Sequence, residues 1–169
     1  GRTARVPLRP PRGAGRGGAG VGAEKPSDHW LDQEVALARS TTGTPLTQGL
    51  PAIALTLREL RLLGADELAL PVPPRASWGA GFPAEQKRSG PNDLQLVKLG
   101  EWLTQTREGD ERDLSLVVDR RMPYRMLIET LFTAAQSKYS RFHFVVQSGS
   151  GPREIVIDHD DLGDVGGRV

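Results

Sequence analysis

Between Asp113 and Gln147 the hydrophobic period changes twice, and that change fixes most of what the chain can fold into. Leu114, Leu116, Val117 and Val118 form a short continuous apolar run, the mark of a strand covered on at least one face. Pro123 stands where a first helical residue suits it, and Tyr124, Leu127, Ile128, Leu131, Phe132 and Ala135 then fall on one stripe of an α-helix. After the helix, Phe142, Phe144 and Val146 alternate with His143, Val145 and Gln147, the period of a strand. Strand, helix and strand in this order predict a parallel pair joined by a right-handed crossover. Leu131 and Phe132, at the centre of the stripe, are expected to be buried against the sheet. A turn at 148–151 leads into Glu154-Ile155-Val156-Ile157-Asp158, a hairpin partner that comes last and is expected to be a sheet edge.

Upstream, periodic apolar character begins at Leu50. Ile53, Leu55 and Leu57 alternate with small or polar residues, and Leu60, Leu62, Leu68 and Leu70 continue the pattern around Gly64-Ala65-Asp66. Strands are expected near 52–58, 60–63 and 67–70. A helix competes for this stretch, because Leu57, Leu60 and Leu63 also suit a 3.6 period. Residues 71–91 read as a Pro, Gly and Ser-rich insertion, free or folded over the last strand. Asn92 or Asp93 would cap a helix carrying Leu94, Val97, Trp102 and Leu103 through about residue 106, with Gly109 ending it. The expected fold class is α+β: a small mixed sheet of four to five strands with two helices packed on one face, over residues 50–158. Residues 27–49 are expected to be a linker with a short helix, capped by Ser27 or Asp28 and carrying Trp30, Leu31, Val35 and Ala38.

Charge separates the ends from this body. Residues 1–26 hold Arg2, Arg5, Arg9, Arg12, Arg16 and Lys25 against Glu24 alone, and the rest of the chain is net acidic, so the whole sums to +1. The leading segment offers only Val6, Leu8 and Val21 as large apolar residues among its Gly and Pro, too few to offset ordering entropy, and is expected to be disordered. An acidic, Gly-rich tail is expected over 159–169. With no Cys in the chain, disulfides, thiol nucleophiles and Cys-bearing metal sites are excluded. No stretch approaches the roughly 18 apolar residues of a membrane-spanning helix.

The motifs that name a chemistry by letter fail on context. Gly13-Ala14-Gly15-Arg16-Gly17-Gly18 fits a dinucleotide pattern, but Pro10 and Pro11 stand where a strand should precede it. The arginines around it lack interleaved aromatic residues to stack on bases. Asp158, Asp160 and Gly163 begin like a calcium loop, yet Val169 occupies the position that needs a bidentate Glu. His29, His143 and His159 are too scattered for a metal site, and Ser148 and Ser150 have no base nearby in sequence. No cofactor, no metal and no catalytic residue is expected.

Asp119-Arg120-Arg121-Met122-Pro123-Tyr124 gathers unusual residues at a strand end. Asp119 suits turn amides before the helix, which leaves the two arginines to meet an anionic partner. Leu114 through Asp119, Met122-Pro123-Tyr124 and the helix with Leu127, Ile128, Leu131 and Ala135 resemble the periplasmic domain of the ExbD/TolR family. A preceding hairpin and first helix fall in the same order, so the resemblance covers about 100 residues, with its specific part in the last 35 or so. It implies a non-enzymatic, dimerising domain of a proton-driven inner-membrane energy transducer for transport or motility. The implied partners are an ExbB/TolQ-like channel subunit and either a TonB/TolA-like protein or peptidoglycan, with no nucleic acid. It also implies a periplasmic location and a transmembrane helix, which this chain lacks, so Asp119 is not the family's proton-carrying residue. Candidate contact residues are Asp119, Arg120, Arg121, Tyr124 and the edge-strand Ile155. The alternative is a soluble binding or regulatory protein whose Arg-rich tail contacts nucleic acid or acidic surfaces.

Overall fold

The computed structural model describes residues 35–63 and 69–159. The order of elements is β1 (Ala52–Leu55), β2 (Glu59–Leu62), β3 (Ala69–Pro71), α1 (Val97–Thr106), β4 (Asp113–Val118), α2 (Tyr124–Gln136), β5 (Arg141–Ser148) and β6 (Gly151–Asp158). Short 3-10 turns at Arg75–Ala80 and Ala84–Gln86 lie between β3 and α1. The fold is α+β with one mixed six-stranded sheet in the order β3-β2-β1-β4-β5-β6, one strand more than the upper bound expected. β4 runs parallel to β1 and to β5, and the remaining neighbours are antiparallel.

The ambiguity at 52–63 is settled by Thr56. Its hydroxyl accepts from the N–H groups of Arg58 and Glu59 and donates to the Glu59 carbonyl, which closes a tight turn and sets Ile53 opposite Leu62. A hairpin results, with strands shorter than expected. The turn at Gly64-Ala65-Asp66 and the start of the third strand lie outside the described residues.

Strand alternation divides the sheet into two faces. One carries Ile53, Leu55, Leu60, Leu62, Leu70, Leu114, Leu116 and Phe142, all buried against Leu99 and Leu103 of α1 and Met126, Leu131 and Ala134 of α2. The other carries Ala52, Ala54, Val117 and Val145, and these are covered by Val35 and Leu37, with Leu46 half-buried alongside. Residues upstream of Leu50 therefore belong to the packed structure. Val35 and Ala38 are not helical: the Ala38 carbonyl accepts from the Gln147 N–H and the Ser40 N–H donates to the Gln147 carbonyl. The rest of the expected short helix, the basic segment 1–26 and the acidic tail from Asp160 lie outside the described residues.

Two further expectations fail on packing. Asp93 does not cap α1; its carboxylate accepts from the Gln95 N–H in the preceding turn, and the helix starts at Val97. The Leu96 N–H at that start is taken by Thr133 Oγ1 at 2.9 Å. In α2 the buried residues are Met126, Glu129, Thr130, Leu131, Thr133 and Ala134. Phe132, Ile128 and Leu127 are only half-buried, and Tyr124 is 75% exposed. The helix is rotated relative to its apolar stripe, so one flank of that stripe is only half-buried.

Segment 71–91 is folded and fastened to α2. Phe82 is buried in the main core, and Trp78 packs against it while donating from Nε1 to the Pro73 carbonyl. Its anchor is Glu129, whose Oε1 accepts the Phe82 N–H at 2.8 Å and whose Oε2 meets Lys87 and Arg125. It does not close the edge of β6. That edge is met instead by Thr44, which exchanges two backbone hydrogen bonds of 2.9 Å with Glu154.

Candidate functional site

The C-terminal end of β4 pairs with β1, beyond the last step of its pairing with β5, and the chain turns there into α2. Asp119 sits at this end and is buried. Its own N–H bonds the Leu55 carbonyl, extending the β1–β4 ladder by one step. Its carboxylate accepts four hydrogen bonds: from Arg121 Nε and the Arg121 backbone N–H on Oδ1, and from Arg121 Nη2 and the Ala36 N–H on Oδ2. The Met122 N–H donates to the Asp119 carbonyl, completing the turn.

Burial alone would raise the Asp119 carboxyl, but the Arg121 side-chain and backbone bonds and the Ala36 bond outweigh it and hold the group below its ordinary value. Asp119 in turn holds the Arg121 guanidinium above its ordinary range through the same hydrogen bonds. The carboxylate thus ties the incoming segment at Ala36 to the strand end and the helix start.

The five candidate contact residues divide accordingly. Asp119 and Arg121 are together, with half of the Arg121 side chain exposed. Arg120 is exposed, and its N–H is fixed by the Ala36 carbonyl at 2.8 Å. Tyr124 opens α2 at the surface. Ile155 is half-buried on the helix-covered face of the far strand, where it pairs with Phe144, so it does not point out from the sheet edge. Phe144, Ile155 and Ile157 remain half-buried on that face.

Two polar clusters escaped the sequence reading. Glu129 is fully buried within α2 and gathers Lys87, Arg125 and the Phe82 N–H; a lone Glu amid apolar helix positions is the signal that could have found it. On the opposite face of the sheet, His143 Nε2 lies 2.7 Å from Asp113 Oδ2 and Nδ1 lies 2.9 Å from Glu154 Oε2. Strand alternation in β4, β5 and β6 puts Asp113, His143 and Glu154 on one face, a relation visible only once the pairing is known.

Among the described residues no group of three or more His, Asp or Glu is disposed to hold a metal ion. In the last cluster the imidazole itself stands between the two carboxylates. No helix among the described residues is long and apolar enough to cross a membrane. No protein family, curated protein or solved structure matches this chain.

Proposed function

We propose that this chain is a non-enzymatic binding domain of an ExbD/TolR-like energy-transducing complex, coupled to the proton-motive force and working through protein contacts. The observation that carries this reading is the partly exposed flank of α2. Tyr124 is exposed at the start of α2, and Ile128 and Phe132, one and two turns on, are only half-buried, which leaves apolar surface that a partner would cover. The element order supports it as well: a hairpin, a helix, then strand, helix and hairpin, with Asp119 ending the strand before α2.

In this reading the domain sits in the bacterial periplasm and pairs with a second copy. An ExbB/TolQ-like channel subunit is its constitutive partner, and a TonB/TolA-like protein or peptidoglycan is the element it engages. Arg120 and the exposed half of Arg121 flank the apolar surface with positive charge.

Co-expression of the native full-length protein with an ExbB/TolQ-like subunit from the same organism tests the reading. The two should purify together from detergent, and Tyr124→Asp, at a position 75% exposed, should weaken self-association while leaving the thermal midpoint of the domain within a few degrees. Failure to co-purify would overturn it. Binding to single-stranded nucleic acid that disappears on removing residues 1–26 would favour a regulatory protein with a basic tail instead.

A further inference from the structure

On the face of the sheet away from the helices, the chain segment Thr44 to Thr47 lies over a buried ionic line. Glu154 is buried, and its carboxylate is shared between the sheet and this segment. Oε2 accepts from Thr47 Oγ1 at 2.7 Å and faces His143 Nδ1 at 2.9 Å, while Oε1 accepts from the Thr47 N–H at 3.1 Å. The backbone of Glu154 pairs with Thr44 in both directions. On the far side of the ring, Asp113 Oδ2 is 2.7 Å from His143 Nε2.

A histidine can donate from both nitrogens only as imidazolium. With the ring protonated, one cation serves two carboxylates. With the ring neutral, one nitrogen presents a lone pair to a carboxylate oxygen, and Glu154 becomes a buried anion without its cation. Among the described residues, His143 is the basic side chain in ion-pair range of the Glu154 carboxylate, and it is a cation only when the ring carries both protons. Asp113 is partly exposed, with Arg141 Nη1 at 3.7 Å, so water and Arg141 can compensate it. Arg141 also reaches Asp158 at 3.9 Å. The covering segment, Thr42 through Gly49, contributes no charge at all. That segment contributes both Thr47 hydrogen bonds to the buried carboxylate, and lifting it is a direct way to let water reach Glu154.

We infer that residues Thr44 to Thr47 form a pH-gated cover over the outer edge of β6, closed while His143 bridges Asp113 and Glu154 as imidazolium and released when the ring loses its proton. Release is local. Val35 and Leu37 hold the preceding chain in the second core, and Pro51 and Ala52 hold the following one. Gly43, at φ +129°, supplies the pivot at the near end. Opening frees the Glu154 N–H and C=O, the groups now paired with Thr44, and so exposes a strand edge to any extended segment. The inference is independent of the proposed transport role, because cover and latch both belong to this chain and the readout needs no partner.

Hydrogen–deuterium exchange on the full chain, corrected for the intrinsic pH dependence of amide exchange, tests it. As pH is raised from about 5 into the alkaline range, protection of the Thr44, Thr47 and Glu154 amides should fall by about tenfold or more, with Ile53 and Leu116 unchanged. Glu154→Gln keeps the shape and removes the buried charge, its oxygen able to accept the Thr47 N–H and its amide N–H to donate to Thr47 Oγ1, and it should make protection of the cover insensitive to pH. Uniform protection across that range in the native chain would overturn the gate. So would an equal loss at Leu116, or a pH response that persists in Glu154→Gln.

Discussion

Lys87 Nζ lies 2.7 Å from Oε2 of Glu129, and both side chains are completely removed from solvent. The ammonium also donates to the carbonyls of Ala80 and Pro91, and Arg125 Nε reaches the same carboxylate oxygen at 2.6 Å. One carboxylate on α2 thereby organises a segment that would otherwise be a twenty-residue insertion. Taking away one partner strands the other in a dry interior. Glu129→Ala should destabilise the domain by about 3–5 kcal/mol. Lys87→Met should do less harm, since Arg125 remains, and the double variant should fall short of the sum by more than about 0.5 kcal/mol. Urea unfolding of the four proteins measures the difference; additivity would mean that the two side chains act separately.

Gly81 makes a related prediction. Its φ is +81°, and a Cβ added there would land on the Glu129 carboxylate. With ψ at −153° this backbone lies in a region adopted essentially by glycine alone, and Gly81→Ala should therefore cost more than the roughly 1–3 kcal/mol of that backbone alone. In the Glu129→Ala background the penalty should shrink towards that backbone value, which thermal unfolding of the pair can show.

For α2, the rotation of the helix inverts an expectation from its stripe. A fully buried Phe132 would lose about 3–5 kcal/mol on truncation to Ala, whereas a half-buried one loses a fraction of that. Met126 is fully buried, and Met126→Ala should cost about 2–5 kcal/mol. Chemical denaturation of both variants should rank Met126→Ala as the more damaging. The reverse order would restore the stripe to the core.

Asp119 predicts an acid limit. Its folded value lies below the ordinary 3.8, so its contribution is complete above the unfolded value and is lost as pH falls through the folded one. Asp119→Asn should lower stability at neutral pH by about 1.5–3 kcal/mol, the range for hydrogen bonds to a charged group. Because the Arg121 side chain is half exposed and screened, the backbone bonds from Ala36 and Arg121 should account for much of that. The gap between native and variant chains should close on the acid side of 3.8. A gap that stays constant down to strongly acidic pH would mean that the charge is not what binds these groups.

How far the sequence discloses the structure depends on the kind of interaction involved. β4, β5 and β6 announce themselves because strand and helix periods are local properties. The phase of α2 does not. Thr130, Thr133 and Ser137 turn inward because each hydroxyl donates to the carbonyl four residues back, which satisfies it without water. Glu129 turns inward because Lys87, more than forty residues upstream, meets it. Polar letters at those positions predict a solvated face, and only their partners reverse that. Segment 35–47 is hidden for a similar reason. It is held by isolated bridges, Arg39 to Gln147 and Thr44 to Glu154, and bridges of single residues leave no period to detect. The Asp119 turn was visible as a structural feature, while its bond to Ala36 was not.

The placement of β1 between β2 and β4 has a consequence for the time course of folding. β4, α2, β5 and β6 contact neighbours close by in the chain, so this half can form with small loops to close. β1 finds its parallel partner only across the long excursion from Leu55 to Asp113, and closing that loop carries the larger entropic barrier. On the ribosome the order of appearance is opposite to the order of closure. The first hairpin emerges with one side unpaired and waits for β4, so the half of the sheet that is made first is finished last, and the rate of folding is set by how soon the later half offers it an edge.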